Sequence, residues 1–154
     1  MIDPTILRAK IADIRSRLNK IDASDPVAEI GSRLDEIDGI LDNHELEINQ
    51  EKRFNHRLPH FAKATGEDFF ASMEVISNAR NALILQFLTE HGSQKHYYYP
   101  DLAKGTLRSF TAYRVFRWLT EKDKREIERF RNIGKKGTEQ ILEFLSGIED
   151  ALSS

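Results

Sequence analysis

The residues whose types and spacing could do chemistry lie in one short run, Arg131-Asn132-Ile133-Gly134-Lys135-Lys136-Gly137. The chemistry would be anion binding. Gly134 permits a positive φ and leaves room for a ligand to approach the backbone. If a helix begins here, the N–H groups of Lys135, Lys136 and Gly137 have no partner within it. Such groups and the helix dipole together attract a phosphate. The two lysines add longer-range attraction, and Ile133 would anchor the turn in the core. The plainer reading stands beside this one: a glycine between two helices and solvated lysines need no ligand. Arg108 and Arg114, with Lys104 and Arg117 after them, are further cations that could face the same anion.

Other chemistries find little support. His56 and His60 are four apart, as two imidazoles on one helical face would be. Pro59 lies between them, however, and the chain has no cysteine, so they read as surface histidines. Zinc–thiolate, disulfide and thiol chemistry are excluded outright. No nucleophile–base pair, Walker loop or paired-carboxylate pattern stands out. The expectation is therefore a protein that is not an enzyme, with no cofactor and no metal. There is no run of eighteen apolar residues to cross a membrane, and the first residues do not read as a signal peptide. A cytoplasmic protein is expected.

The elements that must position the run read as helices throughout. Leu7, Ile11, Ile14, Leu18 and Ile21 step by four and three along a first helix. Val27, Ile30, Leu34, Ile37, Leu41, His44 and Ile48 do the same along a second, with Pro26 in its first turn. Two heptad helices with a tight turn between them predict an antiparallel hairpin with a narrow seam. That seam needs a further partner: the next helix, or another copy of the chain through residues 5–50. His44 on the seam reads as a register-setting or packed side chain. Residues 51–66 read as a break. Thr65, followed by Glu67 and Asp68, starts a helix over 67–91 whose Phe69, Phe70, Met73, Ile76, Leu83, Ile84, Phe87 and Leu88 are core. The tyrosine run 97–99 reads as a linker or docking loop. From 102 onward the pattern is of short helices. Leu107, Phe110, Tyr113, Phe116 and Leu119 are apolar at three-residue steps, and Thr120 or Asp123 caps a helix holding Ile127 and Phe130. A last helix carries Ile141, Leu142 and Leu145. No strand alternation appears, so the predicted fold class is all-α.

Charge is uneven along the chain. Residues 1–92 hold 11 Lys and Arg against 16 Asp and Glu, whereas residues 93–137 hold 12 against 5. A basic half beside an acidic half points toward nucleic acid.

The run Arg131–Leu145 resembles the last helix-hairpin-helix of the C-terminal domain of the bacterial RNA polymerase alpha subunit. Asn132, Ile133, Gly134, Lys135, Lys136, Gly137, Ile141 and Leu145 fall on that family's pattern without a gap. Phe116, Leu119 and Ile127 fall on its apolar positions. The resemblance is good over 116–146, partial over 101–115 and absent over 1–92. It implies minor-groove DNA binding and docking of transcription regulators. Phosphate contacts would fall to Gly134, Lys136 and Gly137, the last being usually Ser in the family. The family's groove-reading arginine and asparagine align with Ala103 and Thr106, so the resemblance carries phosphate binding further than sequence readout.

Two domains are expected. Residues 1–92 would be a helical hairpin plus a long core helix serving assembly or partner contact. Residues 93–154 would be a compact helix-hairpin-helix domain. The expected function is weakly sequence-selective DNA binding in transcription through Asn132, Gly134, Lys135, Lys136, Gly137, Arg108 and Arg114. The alternative is a module that mimics the polymerase domain to dock polymerase or a regulator, with the hairpin driving oligomerisation.

Overall fold

The computed structural model describes residues 4–20, 25–91 and 100–154. The fold is all-α. The described residues form eight α-helices: α1 (Pro4–Leu18), α2 (Asp25–Arg57), α3 (Gly66–Ser72), α4 (Ser77–His91), α5 (Pro100–Arg108), α6 (Ala112–Thr120), α7 (Lys124–Arg129) and α8 (Gly134–Ser153). A short 3₁₀ turn, Pro59–Phe61, follows α2. No helix is long and apolar enough to cross a membrane among the described residues. The tyrosine run and Gly92 lie outside them.

The chain divides into two compact units, Met1–Glu51 and Lys52–Ser154. The expected division at 92/93 does not coincide with this one. The reason is packing: α3 and α4 share one core with the later helices, so Phe69, Phe70, Leu83 and Phe87 are buried with Val115, Leu119, Ile127, Ile133 and Ile141. In the first unit α1 and α2 run antiparallel over a small core of Ile11, Leu34 and Leu41. Two other seam positions, Ile14 and Ile37, are 42% and 39% exposed. His44 is exposed as well.

Two predicted elements differ. The break expected at 51–66 starts later, because α2 continues to Arg57. Phe54 on that extension is fully buried against Phe61, Tyr113 and Phe116, with ring centroids 5.1–5.9 Å apart. The helix expected over 67–91 is two helices, with Met73 extended at the end of α3. In one continuous helix the buried positions 69, 70, 73, 75, 79, 82, 83 and 87 would spread over about 240° of the circumference at 100° per residue. Breaking the helix lets both halves face one core. The Arg80 guanidinium holds the break by donating to Met73 O (2.7 Å) and Val75 O (3.5 Å). Ile76, expected in the core, is 39% exposed.

Local sequence explains where helices start. Thr65 and Asp68 make a capping box, as do Asp123 and Glu126. Thr111 caps α6. The starts of α3 and α6 are tied by Gly66 N–H to Phe110 O (2.8 Å) and Ala112 N–H to Ala64 O (2.9 Å). A side chain at Gly66 would strike Leu107 O at 2.8 Å and Val115 Cγ2 at 2.9 Å, so this junction requires glycine.

Candidate phosphate-binding hairpin

The expected succession of helix, short turn and helix is present over α7 and α8. α7 closes at Phe130, whose N–H donates to Ile127 O, and residues 130–133 turn the chain into α8. The turn is anchored by Ile133, which is 2% exposed, beside fully buried Ile127 and Ile141. Gly134 has φ +67°, the left-handed conformation its residue type was expected to supply. Asn132 has φ +71°, which the sequence reading missed. The signal was available, since asparagine is among the few non-glycine residues that visit this region readily.

No side chain caps the start of α8. Its first-turn N–H groups therefore keep the polarity that attracts an anion. Lys135, Lys136 and Arg131 are exposed around it. Gly137 is different. It is buried, and a Cβ there would lie 2.7 Å from Ala79 Cβ and 3.3 Å from Ile133 Cγ2. Its smallness serves the close approach of α8 to α4. Gln140, one turn on, accepts the Ile76 N–H (3.1 Å), and the Thr138 hydroxyl donates to Gly134 O (2.9 Å).

Thus Asn132, Gly134, Lys135, Lys136 and Gly137 come together in one turn, whereas Arg108 is engaged elsewhere, with Glu67. Gly137 meets α4 at Ala79, whereas Phe110 meets it at Phe87 and His91, with ring centroids at 5.0 and 5.9 Å. Those points are about 12–18 Å apart along α4. Arg108 is ion-paired with Glu67, whose hydrogen bond raises the guanidinium pKa. Arg114 is exposed at the start of α6. Ala103 packs against the core, and Thr106 is only partly exposed. Arg117 pairs with Glu121 (3.2 Å). His56 and His60 are both exposed, and among the described residues no group of three or more His, Cys, Asp or Glu side chains could hold a metal.

An open groove of about 720 Å³ adjoins the hairpin between α4 and residues 130–132. Asn78, Asn81 and Gln86 of α4 line it with Arg131 and Asn132. These amides can donate and accept hydrogen bonds. Nothing in the sequence marks them, because only the fold brings α4 beside the turn.

Searches of family models, curated proteins and solved structures find no match to this chain. The resemblance to the polymerase alpha domain accordingly rests on the residues of 101–146 themselves.

Proposed function

We propose that the second unit binds the phosphate backbone of DNA, with weak sequence selectivity, in a transcription-related setting. The observation that carries this reading is the uncapped start of α8, opened by Gly134 at φ +67° and flanked by exposed Lys135 and Lys136. A phosphate oxygen would accept from the first-turn N–H groups while the two ammonium groups neutralise charge. Asn132 and the amides of the adjoining groove would add contacts to phosphate and sugar, which position a duplex without reading it. Weak selectivity follows from Ala103 and Thr106, since neither offers the arginine or asparagine that the resembled domain uses in the groove.

Fluorescence anisotropy with a labelled duplex at low salt tests the proposal. Wild type should bind, with an affinity that falls steeply as salt rises. Lys135→Glu combined with Lys136→Glu should abolish binding at moderate salt. Replacing both lysines with alanine should flatten the log–log salt slope by about 1–2. Absence of wild-type binding at low salt overturns it.

The second reading is a docking module for polymerase or a transcription regulator. It is favoured by the pairing of Arg108 with Glu67, which ties to an acid one of the cations expected to serve DNA. Capture of purified polymerase or regulator, unchanged by the double glutamate variant, would select it.

A further inference from the structure

The two long faces of the first unit differ in kind. Arg8 pairs with Asp42 (2.8 Å) and Glu45 (2.9 Å), and Arg15 pairs with Asp35 (2.6 Å) and Asp38 (2.7 Å). At 100° per residue, Arg8 and Arg15 lie about 40–60° to one side of buried Ile11, and the four acids lie about 20–100° to the same side of buried Leu34. Ile14 falls about 60° to the other side of Ile11. Ile30, Ile37 and Ile40 fall about 40–120° to the other side of Leu34. In an antiparallel pair, equal senses of rotation reach the same face. One face of the hairpin is therefore closed by ion pairs, and the opposite face is lined by isoleucines. Their exposures are 42% for Ile14, 44% for Ile30, 39% for Ile37 and 66% for Ile40. Two helices burying three apolar side chains are a marginal structure alone, whereas four helices enclose a seam.

We propose that a second copy of this chain covers the isoleucine face, closing a four-helix bundle in which α1 of each protomer lies over α2 of the other. Charge identifies the partner. Away from the ion-paired face, residues 4–18 carry Lys10 and Arg17 against Asp13, and residues 25–51 carry Arg33 against Asp25, Glu29, Glu36, Glu47 and Glu51. A fitting partner must present an acidic helix over α1 and a basic one over α2, on either side of an apolar stripe of the same length. The hairpin itself does so when turned by a two-fold axis parallel to its helices. Such an interface is isologous, and every contact occurs twice. The ion pairs put residue 15 beside residues 35 and 38, so Ile14 and Ile37 are level within one chain. In the bundle Ile14 then also faces the partner's Ile37.

The isoleucine face belongs to the first unit alone, so its test is independent of DNA binding. Sedimentation of the full chain over a wide concentration range should give twice the 17.8 kDa chain mass. Ile37→Asp should weaken the dimer on the order of a hundredfold, because each change counts twice in a symmetric interface. Ile40→Asp, at the most exposed of the four positions, guards against loss of folding. It should also give the single-chain mass with unchanged helical circular dichroism. Because the chain has no cysteine, Ile14→Cys and Ile37→Cys each introduce a lone thiol. Under oxidation a mixture of the two variants should form Ile14→Cys to Ile37→Cys cross-links in preference to either self-pair. A single-chain mass at every concentration, a dimer untouched by both aspartates, or cross-linking only between like variants would each overturn the proposal.

Discussion

Replacing Gly137 with alanine tests how α8 is seated, and Gly147 supplies the control within the same helix. A Cβ at Gly147 meets nothing within 4 Å, whereas one at Gly137 would sit 2.7 Å from Ala79 Cβ. Carbon atoms rest about 3.5–4.0 Å apart, so α8 or α4 must move by about 1 Å. The struck atom is a Cβ fixed to a buried helix, so no flexible side chain can swing away. Overpacking of this kind costs about 1–3 kcal/mol, against a helix-propensity gain of up to about 1 kcal/mol for glycine to alanine. Gly147→Ala should therefore stabilise by about 0.5–1 kcal/mol, and Gly137→Ala should destabilise by about 1–2 kcal/mol. For a domain of this size the two melting temperatures should differ by roughly 6–24 °C. Thermal and urea unfolding followed by circular dichroism measure this. Adding Ala79→Gly removes the struck atom and should recover at least about 1 kcal/mol of the Gly137→Ala loss as a coupling energy. Equal gains at both glycines, or no coupling with Ala79, would refute the packing argument. In that case a loss of DNA affinity at Gly137→Ala without a loss of stability would return Gly137 to the phosphate site.

Four further outcomes follow from the geometry. Thr65→Ala removes the capping-box hydroxyl at the start of α3 and should cost about 1 kcal/mol by urea unfolding. Phe54→Ala empties a fully buried site between Phe61, Tyr113 and Phe116 and should cost about 3–5 kcal/mol; a loss under 1 kcal/mol would show that the end of α2 is not part of the second core. Burial acts to raise the Glu90 pKa, but hydrogen bonds from Gln86, Trp118 and Lys122 together outweigh it and hold the carboxyl below its ordinary value. Its contribution is thus complete above pH 4.5, the ordinary value, and is lost as pH falls through the lower folded-state value; Glu90→Gln should flatten the acid limb of stability against pH. Combined Lys135→Glu and Lys136→Glu should leave unfolding within about 0.5 kcal/mol of wild type, since both side chains are exposed, so that a loss of DNA binding reports on the site alone.

What the sequence made legible follows the range of the interactions. Helix starts set within four residues were the more legible, because the cap and its N–H are neighbours in the chain: Thr65 starts α3, and of Thr120 and Asp123 it is Asp123 that caps α7. The heptads gave α1 and α2, yet Ile11 and Ile14 belong to the same stripe and only Ile11 is covered. Periodicity places a residue on a face without saying how much of that face a neighbour reaches. The break between α3 and α4 was hidden for a related reason. Its apolar residues continue a helical pattern, while it is held by an arginine side chain turned back on the chain, Arg80, and by Gln140 from outside the segment. At the candidate site the turn was legible and its surroundings were not. The Arg108–Glu67 pair spans 41 residues of sequence, and the amides of α4 reach the hairpin through long-range packing such as that of Ala79 on Gly137.

That packing also changes which residues bear on function. The two glycines that make the run look like a phosphate grip have different physical grounds. Gly134 is held at φ +67°, where any side chain is strained, and Gly137 is pressed on Ala79. Asn132 at φ +71° is likewise accounted for by the turn it makes. Each of the three would be selected in a hairpin that binds nothing. The fold gives no such reason for Lys135 and Lys136, which are exposed and enter neither the core nor the turn geometry. Substituting the glycines would disturb the fold and the site together. Only the lysines separate the two, so the charge reversal at 135 and 136, and not the conformation of the turn, decides whether this hairpin holds a phosphate.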